Sequence, residues 1–100
     1  MQFLVLGYDG TDPEALARRL AVREDHLKLF REGLASGKFL FGTAILNDEG
    51  QMAGSAILAD FPSREALDQE WLQREPYVTG HVWQTVTVHR AQVPAFLLER

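Results

Sequence analysis

Phe39-Leu40-Phe41-Gly42-Thr43-Ala44-Ile45-Leu46-Asn47-Asp48-Glu49-Gly50-Gln51-Met52-Ala53-Gly54-Ser55-Ala56-Ile57-Leu58-Ala59-Asp60 decides the fold, because two apolar runs flank a cluster of turn residues. Asn47-Asp48-Glu49-Gly50 between such runs reads as the connection of a β-hairpin. Toward the N-terminus, Gly37 closes a helical region that begins at Thr11-Asp12-Pro13-Glu14, with Asp12 as N-cap and Pro13 at the first helical position. Leu16, Leu20, Leu27, Phe30 and Leu34 recur there at spacings of three, four or seven, which lines one face of a helix in one or two pieces. Residues 2–7 read as a strand before it. Toward the C-terminus, Phe61-Pro62 breaks the hairpin strand and Ser63 caps a second helix over residues 64–74 that carries Leu67 and Trp71. Pro76 stops that helix, and residues 81–90, alternating Val and Thr, form a last strand.

The order strand, helix, strand, strand, helix, strand predicts an α+β, ferredoxin-like βαββαβ domain over residues 1–90, an antiparallel sheet with two helices on one face. Both sheet faces read as apolar: Leu4 and Leu6 oppose Phe3 and Val5, and Phe39, Phe41 and Ile45 oppose Leu40, Ala44 and Leu46. The uncovered face therefore needs a partner. The economical one is the same face of a second copy, a sheet-to-sheet homodimer open to further homo-oligomerisation. The alternative is that residues 93–98, in an apolar tail spanning residues 91–100, fold over it; the tail is otherwise expected to dock on the domain or on the partner subunit.

A chain of 100 residues, 46% hydrophobic and 24% charged, fits one folded domain. Without cysteine it gains no disulfide, and the N-terminus starts directly in a strand, so a cytoplasmic protein is expected. A net charge of -4 with scattered basic residues argues against nucleic acid or membrane as partners and leaves a small-molecule ligand.

The expected topology gathers Asp9, Arg19, Arg23, His26, Glu75, Tyr77 and His81 at one end of the domain. Arg23 falls between Leu20 and Leu27 in the apolar stripe, so it needs a carboxylate such as Glu75 or Asp9, or an anionic ligand group. His26 follows one turn later. An imidazole titrates near ~6.5 in water, and a carboxylate on one ring nitrogen leaves the other to act as a general base. Ser36, Ser55 and Ser63 are accounted for by a helix end, a strand and a cap, so a serine nucleophile has no support. His26, His81 and His89 are unclustered, and no metal site is expected. The same spacing also fits a solvated helix face, with Arg19 and Arg23 beside Glu14, Glu24 or Asp25 and Glu75-Pro76 as a plain helix stop. Trp71 and Trp83 read as core or interface aromatics.

Arg19 to Arg23, the Arg23-x-x-His26-Leu27 step, the Gly37 stop, the Ala-rich second hairpin strand, the Phe61 to Ala66 helix entry and Glu75-Pro76-Tyr77 together resemble the YciI-like, or YCII-related, proteins across residues 1–90. The resemblance implies the dimeric α+β barrel type of ferredoxin-like fold, with a site around a helix His and the acidic residue before Pro-Tyr or Pro-Phe. Those positions are His26 and Glu75; the family usually has Asp at the second, and an extra methylene shifts the carboxylate unless the backbone compensates. Asp9 resembles an acidic residue that follows the family's first strand. Some members are similar to lyases acting on aromatic or cyclic substrates, and wider relatives isomerise lactones or oxidise phenols without a cofactor. The expectation is a cofactor-independent enzyme of proton abstraction, elimination or isomerisation, with His26 as acid/base, Glu75 orienting it, and Arg19, Arg23, Asp9 and Tyr77 around the substrate. A non-catalytic ligand-binding or regulatory dimer is the alternative.

Overall fold

The Asn47 side chain builds the central turn: its Oδ1 accepts from the backbone N–H groups of Glu49 (3.0 Å) and Gln51 (2.9 Å). The turn joins β2 (Phe39–Leu46) to β3 (Met52–Asp60) as an antiparallel hairpin. In the computed structural model, which describes residues 1–99, β1 (Gln2–Asp9) lies between β3 and β4 (Trp83–Ala91), giving the antiparallel order β2-β3-β1-β4. One face is covered by α1 (Ala15–Ala35), by α2 (Arg64–Leu67) running into a wider π-helical turn (Asp68–Leu72), and by α3 (Pro76–Thr79). This is the ferredoxin-like α+β arrangement. Phe3, Val5, Ile57 and Ala59 from the sheet meet Leu67, Trp71 and Tyr77 from the helices in the core.

α1 is one unbroken helix. It ends as Gly37 requires: the N–H of Lys38 donates to Gly33 O (2.8 Å) and that of Gly37 to Leu34 O (3.3 Å), with Gly37 at φ 82, the left-handed value that favours glycine. Its start differs from expectation, since Glu14 rather than Asp12 is the N-cap residue. Asp12 instead accepts from the Glu14 N–H (3.2 Å) and from Arg18 Nη1 (2.9 Å). The buried face also differs. Ala15, Arg19, His26 and Gly33 face the sheet, with Val22, Leu29 and Phe30 packed beside them, whereas Leu20 and Leu34 are 53% and 52% exposed. Two polar residues occupy core positions because each has a buried partner, so the apolar period alone marks the wrong flank. At Gly33 a Cβ would stand 2.2 Å from the Phe39 ring, and its absence lets the helix sit directly on β2.

Ser63 caps α2 by accepting from the Ala66 N–H (3.0 Å), as its sequence position predicts. The expected single helix over residues 64–74 is instead one α turn followed by the π turn. Pro76 both ends that stretch and opens α3 at the first position, where its missing N–H costs nothing.

The open face of the sheet carries Leu4, Leu6 and Tyr8 of β1, Ala56 and Leu58 of β3, and Phe41 of β2; Phe41 is 58% and Tyr8 44% exposed. Strict alternation does not hold in β2. The register slips between Phe39 and Phe41, so Phe39 enters the core while Phe41 turns to the open face. After β4, the Val93 N–H donates to Gln2 Oε1 (2.6 Å), and Val93, Leu97 and Leu98, the latter two from the short α4 (Ala95–Leu98), line a hollow with Leu40, Phe41 and Leu58. Among the described residues no helix is long and apolar enough to cross a membrane.

Candidate functional site

Asp9 closes β1 on the helix-covered side and is buried. Arg19 of α1 meets it through Nη1, donating to Oδ1 (2.9 Å) and Oδ2 (3.1 Å), while Nη2 donates to Ser55 Oγ (2.7 Å). The buried guanidinium is thus Arg19, and Asp9 is its partner, not that of Arg23. The reason is helical phase: Arg19 lies on the same stripe as Ala15, Val22 and His26. Burial pushes the Asp9 carboxyl above its ordinary 3.8, and the Arg19 charge with its two hydrogen bonds pulls against that. With both oxygens gripped at such distances, we read Asp9 as ionised.

Tyr77 is set by Pro76 in the first turn of α3 and is buried. The Arg19 guanidinium lies 4.4 Å from the centre of its ring, and the His26 imidazole stacks on it at 4.1 Å with 16° between the planes. Burial raises the Tyr77 hydroxyl above its ordinary 10.0, so it is a neutral phenol at physiological pH.

Glu75, held extended by the following proline, is completely buried. Its Oε1 stands 2.6 Å from His26 Nδ1 and 3.4 Å from Trp71 Nε1, while Oε2 makes no hydrogen bond with the described residues. The glutamate side chain therefore reaches the imidazole directly.

A cavity of about 130 Å³ opens between α1 and β2, with Arg19, Arg23, His26 and Tyr77 on its polar side and Leu27, Phe30 and Ile57 among its apolar walls. An apolar cavity of about 150 Å³ takes a benzene molecule, so this one is of single-ring scale. Asp9 and Glu75 stand behind Arg19 and His26 rather than on the wall. Arg23 is half-buried, lines the cavity and forms no ion pair or hydrogen bond with the described residues. His81 does not join the site; it is exposed in the turn before β4 at φ 57. Two residues here escaped the sequence reading, Ser55 and Trp71. Ser55 shares the inward parity of Ile57 and Ala59, a polar side chain in a core position that needs a partner. Trp71 lies four residues before Glu75, in the wide turn just ahead of it, near enough for its indole to reach the carboxylate.

The YCII-related domain model matches residues 1–92, and the chain belongs to that family. A protein of Haemophilus influenzae is 32% identical over 76% of this chain and 83% of its own length. Protein YciI of Escherichia coli O6:H1 is 32% identical over 88% of this chain and 93% of its own. Among solved structures, 5-chloro-2-hydroxyhydroquinone dehydrochlorinase from Burkholderia phenoliruptrix AC1100, in complex with 2,5-dihydroxybenzoquinone, superposes with a TM-score of 0.77 at 22% identity, covering 96% of this chain and 98% of that one. An antibiotic biosynthesis monooxygenase superposes with a TM-score of 0.53 at 19% identity, covering 93% and 98%. At these identities the likeness is one of fold.

Proposed function

We propose that this YCII-related chain is a cofactor-independent enzyme that takes a proton from a small, single-ring enolic or phenolic anion, leading to elimination or isomerisation. The observation that carries the reading is the 2.6 Å contact of His26 Nδ1 with buried Glu75 Oε1, behind an imidazole that lines a ring-sized cavity. Donation from Nδ1–H to the carboxylate leaves the Nε2 lone pair for the substrate proton. Glu75 then stabilises the imidazolium, and the electron pair released on the substrate expels a leaving group from the neighbouring carbon or is reprotonated elsewhere on the ring. Arg23, unpaired among the described residues, holds the anionic oxygen, while Arg19, occupied by Asp9 and Ser55, positions Tyr77. The dehydrochlorinase of like fold, complexed with a dihydroxyquinone, supports a substrate of this class.

The uncovered sheet face supports a working unit of two copies. Leu4, Leu6, Tyr8, Phe41 and Leu58 form a contiguous apolar surface of the kind that a second identical face covers about a two-fold axis.

Calorimetry with 2,5-dihydroxybenzoquinone and halide release from chlorinated hydroxyhydroquinones test the reading. Binding by the wild type, weakened about 10- to 100-fold by Arg23→Met as loss of a charged hydrogen bond implies, with halide release abolished by His26→Gln, is the expected result. Binding that Arg23→Met and His26→Gln leave untouched, without turnover of any member of the series, would overturn it in favour of a ligand-binding module.

A further inference from the structure

α1 presents a second apolar row that its own domain does not bury. Leu20 and Leu34 stand close to four helical turns apart and stay exposed along one flank of the helix, beside the sheet-facing stripe, while Leu27 between them is half-buried and reaches the wall of the cavity. Ala21 and Ala35 follow the two exposed leucines directly. Glu24 and Arg31, seven apart, share one side of the row, and both are exposed. Neither takes part in any of the ion pairs among the described residues.

We propose that this surface packs antiparallel against α1 of a second copy of the chain, about a two-fold axis. The register that sets Leu20 opposite Ala35 of the partner subunit also sets Ala21 opposite the partner's Leu34 and Glu24 opposite the partner's Arg31. Symmetry makes each pairing occur twice. Large therefore meets small and negative meets positive at these positions, with Leu27 opposite the partner's Lys28 beside the axis. Parallel pairing about a two-fold axis instead sets Glu24 against Glu24 and Arg31 against Arg31, which like-charge repulsion disfavours. Charge and size together thus select both the occupant, another α1, and its direction. The surface lies on the opposite side of the domain from the open sheet face, so both contacts can form at once and yield a dimer of dimers. The inference goes beyond the proposed chemistry and does not depend on it.

Light scattering and sedimentation velocity of the full chain test the pairing. Four copies are expected for the wild type. Leu20→Glu/Leu34→Glu, at positions exposed in the monomer and so compatible with an unchanged circular dichroism spectrum, should halve that mass. Glu24→Arg alone should also shift it downward, and Glu24→Arg/Arg31→Glu should restore it by exchanging the charges. In a Phe41→Glu background, two copies should remain and should fall to one with the leucine changes. An unchanged mass in the leucine variant, or a charge exchange that fails to restore the single variant, overturns the proposal. Co-sedimentation with phosphatidylserine vesicles that the leucine variant loses would assign the row to a lipid surface and likewise overturn it.

Discussion

Glu75 and His26, 49 positions apart, meet at 2.6 Å between Oε1 and Nδ1, and the carboxylate holds the ring through that one oxygen. The meeting joins the residue before α3 to the middle of α1 and shapes the back wall of the cavity. The indole N–H of Trp71 approaches the same oxygen at 3.4 Å, so the ring and the indole share one acceptor.

His26→Ala is expected to lower turnover about 10²- to 10⁴-fold, the usual cost of a missing general base, with the fold intact. Glu75→Gln should cost less. Glu75→Asp withdraws the carboxylate by roughly one carbon–carbon bond, about 1.5 Å, and should cost at least as much as Gln. Steady-state kinetics of the three variants decide the matter; full activity in Glu75→Asp would show that the contact at Oε1 is dispensable.

The Asp9 and Arg19 side chains are 2% and 3% exposed, so removing either partner strands a charge in the interior. Asp9→Ala should destabilise the domain by about 3–5 kcal/mol in urea unfolding. Arg19→Met added to it should recover part of the loss, because no unpaired charge then remains. A change under about 1 kcal/mol for Asp9→Ala, smaller than the loss of one good hydrogen bond, would mean that water reaches the pair.

Phe41→Glu places a charge on the open sheet face, on the edge strand β2 beside the tail, without touching the core. Light scattering should show loss of the sheet-to-sheet contact, with a fall in melting temperature no larger than that from removing the tail. A mass equal to that of the wild type at matched concentration would remove this face from the assembly.

Stability in acid should carry a component from Asp12. Arg18 holds the Asp12 carboxyl down at about 2, against an ordinary 3.8. Because the folded value is the lower one, the contribution is present above about pH 4 and disappears as pH falls through the folded value near 2. Wild type should melt above Asp12→Asn near neutral pH, and the two curves should converge toward pH 2; a gap that widens in acid would reverse the sign.

Truncation after Gln92 removes the bond from the Val93 N–H to Gln2 and the apolar contacts around Leu97. It should cost about 1 kcal/mol or more and lower the melting temperature by roughly 4–8 °C for each kcal/mol. An unchanged melt and mass would leave the apolar character of residues 93–98 without a structural role.

The strands and the hairpin were legible because their signals are local: Asn47 and Gly50 mark the turn, and apolar runs flank it. Gly37 and Ser63 likewise announced a helix end and a helix start through their own backbone chemistry. The inward face of α1 was not legible, since Arg19 and His26 sit in core positions that only Asp9, Ser55 and Glu75, all distant in sequence, make tolerable. That misplaced phase also moved the expected buried cation from Arg19 to Arg23. The slip in β2 was hidden for a related reason: Phe39, Leu40 and Phe41 are all apolar, so alternation offered no mark of where one residue is skipped. His26 and Glu75 came from family resemblance together with topology, and neither spacing nor composition alone distinguished them from a solvated helix face.

The wide turn at Asp68–Leu72 has a consequence for how this segment can vary. A π turn holds one residue more than the α turn it replaces. Losing one residue there can be absorbed by tightening the π turn to an α turn, which leaves Glu75 and Tyr77 in phase with His26. Exposed Gln69 and Gln73 can change identity freely. The wide turn is thus the place between Ser63 and Pro76 where the count of residues can also change without turning the site.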